Sequence, residues 1–448
     1  MEIRQFIEEN IDAMKQDLKK LVSYNSVYSE DEKPFGKMNR AVLDCALGLM
    51  EEKGLRTENV DYYCGFGETG EGEKLIGILA HLDVVPAGEG WKHDPFDMTE
   101  EDGYLYGRGV SDDKGAAIAS MYALKYLIQE NYPFQKRVRL ILGCNEETGS
   151  RCIRHYVEKY GHIDCGFTPD GNFPGIYAEK GMVAAKLVGH DSRIIDIRGG
   201  EASNVVNKKI TCSLPLDRFD ENLFKQYLMD HKLAFDYAKG ETIDVTVYGE
   251  SAHASMPDLG KNAFSHLMEA LYHAGFEDTF VSWFHKYFSL EVHGEKLGYE
   301  SLKDDISDTT INFGIIGKQD NDIIVSLDMR FPVKTDSGKV VELLNIGDEH
   351  NELVIMSRTE PLYFDIDSPM IKALKKAYVD VTGDDKTPME AIGGGTYAKA
   401  IHNCIAFGCE FQGENNHIHD LDECLNIDNF KKQVELYVAA IRNLNEIG

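Results

Sequence analysis

Short apolar runs, each ending in polar residues, alternate with helical patterns over the first part of the chain. The runs LIGILAHLD (75–83), VRLILGCN (138–145) and IDCGFTPD (163–170) are typical of buried strands that are followed by loops. Between the first two, AAIASMYALKYLIQ (116–129) has the apolar spacing and the alanine content of a buried helix. Strands, loops and helices in this order predict an α/β sheet with covered faces.

The pattern changes near Lys186. Segments of period-2 alternation, such as ETIDVTVYG (241–249) and DIIVSLDMRF (322–331), surround a helical pattern in KNAFSHLMEALYHAG (261–275). After Pro361, amphipathic helical patterns resume over residues 368–383 and 426–447. The sequence therefore predicts an α/β domain built from residues 1–183 and 363–448, interrupted by an α+β insert over residues 184–362.

Composition sets the class of protein. The 448 residues, 43% of them hydrophobic, can bury a large core without disulfides, and nine cysteines without a CxxC pair favour a reducing compartment. Residues 1–23 predict an amphipathic helix rather than a signal peptide, and no stretch is long and apolar enough to span a bilayer. We therefore expect a cytoplasmic protein that does not enter a membrane.

The formal net charge narrows the range of partners. It is -29, from 76 acidic and 47 basic residues. Such a charge repels polyanions, so it excludes nucleic acid and anionic membrane surfaces as partners, while it favours solubility and attracts cations.

Candidate chemistry lies where the predicted strands end. His81 and Asp83 follow the first strand, Glu146 and Glu147 the second, and Asp170 the third. Because sheets of this class bind ligands beyond the carboxyl ends of their strands, these side chains can converge at one edge. Two divalent cations held by such residues would polarise a carbonyl group and activate a water, and a nearby glutamate would serve as general base.

Each of these residues also has a simpler interpretation. His81 and Asp83 are two apart and point the same way on a strand, so the acid can orient the imidazole, but a histidine also simply caps strands. Asp112, after a GRG turn, is either an ion ligand or an ordinary helix N-cap. In NNHIHDLDE (415–423) the spacing does not choose between His417 and His419.

Six motifs follow one another over nearly the whole chain: HLDVVPAGEGWKHDPF (81–96), GRGVSDDKGAAIA (107–119), CNEETGS (144–150), FTPDG (167–171), GESAHASMPDLGKNA (249–263) and GGGTYAK (393–399). Their order and spacing resemble the co-catalytic zinc exopeptidases, the family of carboxypeptidase G, aminoacylase and carnosine dipeptidase, and within it the bacterial dipeptidase V group. The resemblance implies a mixed-sheet α/β catalytic domain, with the insert as an α+β lid domain.

The resemblance also implies a division of the metal ligands. Asp112 would bridge two metals, with His81 and Asp170 on one and Glu147 and His419 on the other. By the same resemblance Glu146 is the general base, Asp83 orients His81, and the peptide bond between Asp112 and Asp113 is cis.

Further residues are implied in the lid. His253 would stabilise the oxyanion, Arg330 would grip the substrate's terminal carboxylate, and Asn204 would add an amide. Gly393, Gly394, Gly395 and Thr396 would form a loop near the substrate backbone. The family's NVVP is NVVN here, with Asn207 in place of proline.

The predicted function is a dinuclear metallo-dipeptidase that cuts unblocked dipeptides with a metal-activated water, as a monomer or homodimer. Zinc is expected, and a carboxylate-rich site also takes manganese or cobalt. Two alternatives stay open: an amidohydrolase of N-acyl amino acids, such as a deacylase or desuccinylase, and a catalytically silent metal-binding relative.

Overall fold

The computed structural model describes residues 2–216 and 219–448, which form two compact bodies. The first body contains Met1–Tyr177, Phe364–Glu390 and Gly395–Gly448, and the second contains Ala178–Tyr363 and Ala391–Gly394. The boundary expected after residue 183 falls inside a strand of the second body, Gly181–Gly189. The alternation of buried and exposed residues in that strand already begins at Gly181. The transfer of residues 391–394 to the second body has no counterpart in the sequence pattern.

The first stretch of the chain gives the helices α1 (Ile3–Val22), α2 (Lys37–Glu52), α3 (Lys114–Gln129) and α4 (Arg151–Tyr160). Its strands are β1 (Arg56–Val60), β2 (Cys64–Thr69), β3 (Leu75–His81), β4 (Thr99–Glu101), β5 (Tyr104–Tyr106), β6 (Arg137–Gly143), β7 (Cys165–Thr168) and β8 (Ile176–Glu179).

The second body follows with the strands β9 (Gly181–Gly189), β10 (Asp196–Gly199), β11 (Lys209–Leu214), β12 (Ala234–Lys239), β13 (Ile243–Tyr248), β14 (Thr310–Gln319), β15 (Asp322–Phe331), β16 (Asn351–Thr359) and β17 (Leu362–Tyr363). Its helices are α5 (Glu221–Asp230), α6 (Ala263–His273), α7 (Thr279–Tyr287) and α8 (Ser337–Leu343).

The last stretch of the chain supplies the helices α9 (Pro369–Thr382) and α10 (Ile427–Glu446). Its strands are β18 (Glu390–Ile392), β19 (Cys404–Ala406) and β20 (Cys424–Asn426).

The first body is built on a mixed sheet in which the strands run β1-β2-β6-β3-β7-β19-β8. The inner strands β6, β3, β7 and β19 pair in parallel, while β1 and β2 are antiparallel. β3 is buried along its whole length, as its continuous apolar run predicts for a strand covered on both faces. The predicted α/β fold with a mixed sheet is confirmed.

Helices cover this sheet, and α3 is the most enclosed of them. Nearly all of its residues are buried, which explains why its sequence is apolar on every side. α10 packs against α3 and α9, and α1 packs against α3.

The second body is an antiparallel sheet with the order β12-β13-β11-β10-β14-β15-β9-β16. Its strands alternate buried and exposed positions, as the period-2 pattern predicts. Helices α5, α6 and α7 contribute Phe224, Phe264 and Phe284 to one apolar core against the sheet. This body therefore has a hydrophobic core of its own.

All nine cysteines are unpaired, and eight of them are buried. Among residues 2–216 and 219–448, no helix combines the length and the apolarity that crossing a membrane requires.

Candidate metal centre

Strand register brings three predicted site segments to one edge of the first sheet. β3 ends at His81, which lies beside Gly143, the last residue of β6. β7 pairs with the other side of β3 and ends at Thr168, two residues before Asp170. A side chain at Gly143 would put its Cβ 1.9 Å from the hydroxyl oxygen of Tyr397, so glycine is required where β6 ends.

Asp112 lies between two histidines. Its Oδ1 is 2.9 Å from Nε2 of His81, and its Oδ2 is 2.8 Å from Nε2 of His419. Each carboxylate oxygen therefore faces one imidazole, as a carboxylate shared by two cations would. The structure selects His419 over His417 for this cluster, and the peptide bond between Asp112 and Asp113 is cis.

Glu147 joins the same cluster. Its Oε1 is 3.2 Å from Nε2 of His419, and the ligand atoms of His81, Asp112 and Glu147 all lie within 4.8 Å of one another. These are imidazole nitrogens and carboxylate oxygens, the atoms that hold zinc in proteins.

Asp83 makes a different contact from the predicted one. Nδ1 of His81 donates to the backbone carbonyl of Asp83 at 3.0 Å, while the carboxylate oxygen Oδ1 is 3.6 Å away from that nitrogen. The carboxylate instead accepts the backbone N–H groups of Glu146 at 2.9 Å and of Glu147 at 3.1 Å. Asp83 thus orients His81 through its main chain and fixes the backbone of the glutamate pair through its side chain.

The predicted metal donors include buried carboxyl groups that lie close to one another, and bound cations would balance their negative charge. Burial raises the pKa of Asp83 to about 6, of Asp170 to about 7 and of Glu146 to about 8, and repulsion from neighbouring carboxylates adds to each. Hydrogen bonds to Asp112 and Glu147 raise the pKa of His419 to about 10. Two divalent cations among these donors would supply the positive charge that the carboxylates lack.

His81 is held on further sides by residues that the motifs contained but that sequence reasoning passed over. Its backbone N–H donates to Oδ2 of Asp113 at 3.1 Å, and its ring meets the ring of Tyr397 edge-on, with centroids 5.9 Å apart. Nothing in the pattern around GGGTYAK predicts that Tyr397 contacts His81.

The predicted lid residues lie in the second body. Arg330 is 3% exposed, and its Nε and Nη2 donate to the carboxylate of Asp328 at 3.1 and 3.4 Å, while Nη1 donates to the carbonyl of Gly393 at 2.8 Å. These contacts use three of the five N–H groups of the guanidinium. The remaining two can bind a carboxylate.

His253 is held by Ser255. Nδ1 of His253 is 2.7 Å from the hydroxyl oxygen of Ser255 and accepts the backbone N–H of Ser255 at 3.3 Å, an arrangement in which Nε2 of the neutral ring carries the hydrogen. Burial lowers the pKa of His253, and the positive charge of Arg330 lowers it further. His253 is therefore a neutral hydrogen-bond donor at neutral pH.

The other predicted substrate contacts are less defined by the structure. The backbone carbonyl of Asn204 accepts the backbone N–H of Ala254, so the main chain at Asn204 is bonded to the residue that follows His253. Gly394 and Gly395 lie where the chain passes from the second body back to the first. Thr396 caps the following 3₁₀ turn by accepting the N–H of Ala398.

Comparison with known proteins agrees with the fold. Peptidase family M20/M25/M40 matches residues 77–443. The chain belongs to this family.

Relatives and solved structures match over nearly the whole chain. The protein named "Putative dipeptidase YtjP" from Bacillus subtilis (strain 168) is 34% identical, with 96% of each chain covered. "Putative dipeptidase SH1171" from Staphylococcus haemolyticus is 32% identical, again with 96% of each covered. Human carnosine dipeptidase 1 has the same fold with a TM-score of 0.60 at 16% identity, covering 99% of this chain and 98% of that one.

Several predictions from sequence are thereby confirmed. The family, the α/β fold class and the enzyme class, a metallopeptidase, are as predicted. The family also supports the use of divalent metal ions and of a peptide substrate.

Proposed function

We propose that the enzyme hydrolyses unblocked dipeptides, with His81, Asp112, Glu147, Asp170 and His419 holding two divalent cations. The observation that carries the proposal is the opposed placement of two histidines on the oxygens of Asp112, with Glu147 in reach of the second histidine. The relatives named as dipeptidases support the substrate class.

Glu146 is the general base in this proposal. When bound, the cations supply Lewis acidity for the scissile carbonyl and lower the pKa of a water. Glu146 takes a proton from the attacking water and passes it to the leaving amine. Its position supports this role, because its backbone N–H is fixed by Asp83 and its carboxyl lies near His81 and Asp170.

His253 and Arg330 are the proposed contacts to the carbonyl and the terminal carboxylate of the substrate. The Nε2 hydrogen of His253 donates to the carbonyl oxygen as negative charge develops on it. The two free N–H groups of Arg330 bind the terminal carboxylate of the dipeptide, and Asn204 and the loop of Gly394, Gly395 and Thr396 contact its backbone. A fixed guanidinium binds a carboxylate with little loss of side-chain entropy.

A substrate panel tests the proposal. The enzyme should cleave a dipeptide with a free amine faster than the same compound with an N-acetyl group. Preference for the acetylated compound would identify an amidohydrolase of N-acyl amino acids, and failure to cleave either would identify a silent relative.

Metal analysis completes the test. We propose zinc, because two histidines and three carboxylates suit it, with manganese or cobalt as alternatives. Freshly purified protein should contain about two equivalents of one of these metals. Dialysis against a chelator should abolish hydrolysis, and adding the metal back should restore it.

A further inference from the structure

A buried ion pair joins the segment of His419 to the loop of Asp112. Glu423, four residues after His419, is 1% exposed, and its Oε2 accepts Nη1 of Arg108 at 2.8 Å. Arg108 is also 1% exposed, and its Nη2 donates to the carbonyl of Asp420 at 3.0 Å. The pair connects residues 315 positions apart in the sequence.

The same carboxylate binds the backbone of the Asp112 loop. Its Oε2 accepts the N–H of Gly109 at 2.9 Å, and its Oε1 accepts the N–H groups of Ser111 at 2.9 Å and Asp112 at 3.1 Å. Gly109 has φ of 85°, a conformation open to glycine, and it turns these N–H groups towards one point. Three amides and a guanidinium thus fill the four lone-pair directions of Glu423.

His419 needs external support for its backbone. Its φ is 61°, which non-glycine residues rarely adopt and which persists only where the surroundings enforce it. Arg108 holds the carbonyl of the next residue, Asp420, and the N–H of Asp420 donates to the carbonyl of His417 at 3.0 Å.

We infer that Glu423 is a positioning residue of the metal centre. Through the backbone of Asp112 on one side and through Arg108 on the other, it holds Asp112 and His419 together whether or not a metal is bound. The inference rests on the proposed function in one respect, the assignment of Asp112 and His419 as ligands. Glu423 itself touches neither cation nor substrate.

Glu423→Gln tests the inference without any substrate. The amide keeps the size of the side chain, but its NH₂ group faces a donor, and Arg108 loses its counter-charge. The zinc affinity of metal-free protein, measured by competition with a chelator, should fall about 10- to 100-fold, the range for removing a group that supports a metal ligand.

Asp17→Asn is the matched control. Asp17 forms another buried ion pair of the first body, with Oδ2 2.7 Å from Nζ of Lys53 and 2.9 Å from the hydroxyl of Tyr122. Both variants should melt at lower temperature, but only Glu423→Gln should lose zinc affinity. Wild-type affinity in Glu423→Gln, or an equal loss in both variants, would overturn the inference.

Hydrogen exchange of the wild type covers the case in which Glu423→Gln does not fold. The amides of residues 109–112 should exchange slowly in metal-free protein, and rapid exchange that slows only with zinc would refute a preformed connection.

His419→Ala separates the inference about Glu423 from the proposed function on which it rests. If it leaves zinc affinity unchanged, the ligand assignment fails, whereas an absence of dipeptide hydrolysis with zinc affinity behaving as expected would contradict only the substrate.

Discussion

Glu146 and Glu147 are neighbours in sequence with different surroundings. The carboxylate of Asp83 accepts the backbone N–H groups of both, so both side chains extend from a fixed stretch of main chain. Glu147 reaches His419, while Glu146 lies near His81 and Asp170 and has a pKa that burial raises to about 8. One residue is thereby suited to hold metal and the other to move protons.

Glu146→Ala should separate these roles. Loss of a positioned general base typically costs 10²- to 10⁴-fold in rate, so we expect kcat to fall by about that factor. Metal content should stay near the wild-type value, because the proposed ligands are unchanged. The measurements are steady-state kinetics and elemental analysis, and wild-type kcat in the variant would remove Glu146 from the mechanism.

Arg330→Lys should weaken recognition of the substrate's carboxylate. A lysine cannot reproduce the two-pronged contact, and a charge-assisted hydrogen bond contributes about 1.5–3 kcal/mol, so kcat/KM for a dipeptide should fall about 10- to 100-fold. A dipeptide with an amidated C-terminus serves as control, because it lacks the carboxylate and should be cut equally slowly by both forms. Equal losses on both substrates would instead indicate a disturbed lid.

At this scale the sequence predicted residue types better than individual contacts. Period-2 geometry placed Asp83 on the same side as His81, but it could not tell whether the carbonyl or the carboxylate makes the hydrogen bond. It could not choose between His417 and His419 either, since both have positive φ and only the folded loop directs one of them to Asp112.

Among the secondary-structure elements, the three apolar runs form strands that end at or just before the polar site residues, as the sequence predicts. The run 75–83 ends as a strand at His81, 138–145 ends at Gly143, and 163–170 ends at Thr168. The site residues Asp83 and Asp170 lie in the loops that follow two of these strands. An apolar pattern indicates buried residues, and the first residues of the following loops are buried as well. The pattern alone therefore does not locate the last residue of a strand.

The ion pair of Asp17, where α1 packs against α2 and α3, predicts how the free energy of unfolding depends on pH. The pKa of Asp17 is lowered, because hydrogen bonds and charge from Lys53 and Lys20 outweigh burial. A depressed pKa in the folded state means stabilisation that is complete above the unfolded value, about 4, and is lost as pH falls through the folded value.

Asp17→Asn should therefore destabilise the protein in a pH-dependent way. At pH 7 the free energy of unfolding should fall by about 3–5 kcal/mol, the cost of leaving Lys53 buried without its partner. The difference between wild type and variant should shrink below about pH 4. Urea unfolding from pH 7 to pH 3 measures it, and a difference that does not change with pH would mean that the ion pair contributes little.

For the whole molecule, net charge is the property that acts beyond any single site. A charge of -29 gives a negative potential around the chain that attracts divalent cations. This field depends on salt, since the screening length is about 30 Å at 0.01 M and about 8 Å at 0.15 M.

Cation uptake should accordingly slow as salt is added. Between 0.01 and 0.15 M NaCl we expect the association rate constant of zinc with metal-free enzyme to fall about tenfold or more, measured by stopped flow with a fluorescent chelator. The dissociation rate constant should change much less, because contacts between a cation and its ligands are much shorter than the screening length. An association rate constant independent of salt would exclude steering by the net charge.

The hydrogen bond from the N–H of Asp112 to Glu423 joins residues 311 positions apart in the sequence, so it cannot form until most of the chain has been synthesised. A ribosome adds about 5–20 residues per second, so Glu423 and His419 follow Asp112 by roughly 15–60 seconds. Until then the nascent chain carries the proposed base without a completed metal centre. With His419 as the proposed ligand, we expect the chain to be inactive for most of its own translation, and we expect any product truncated before residue 419 to stay inactive.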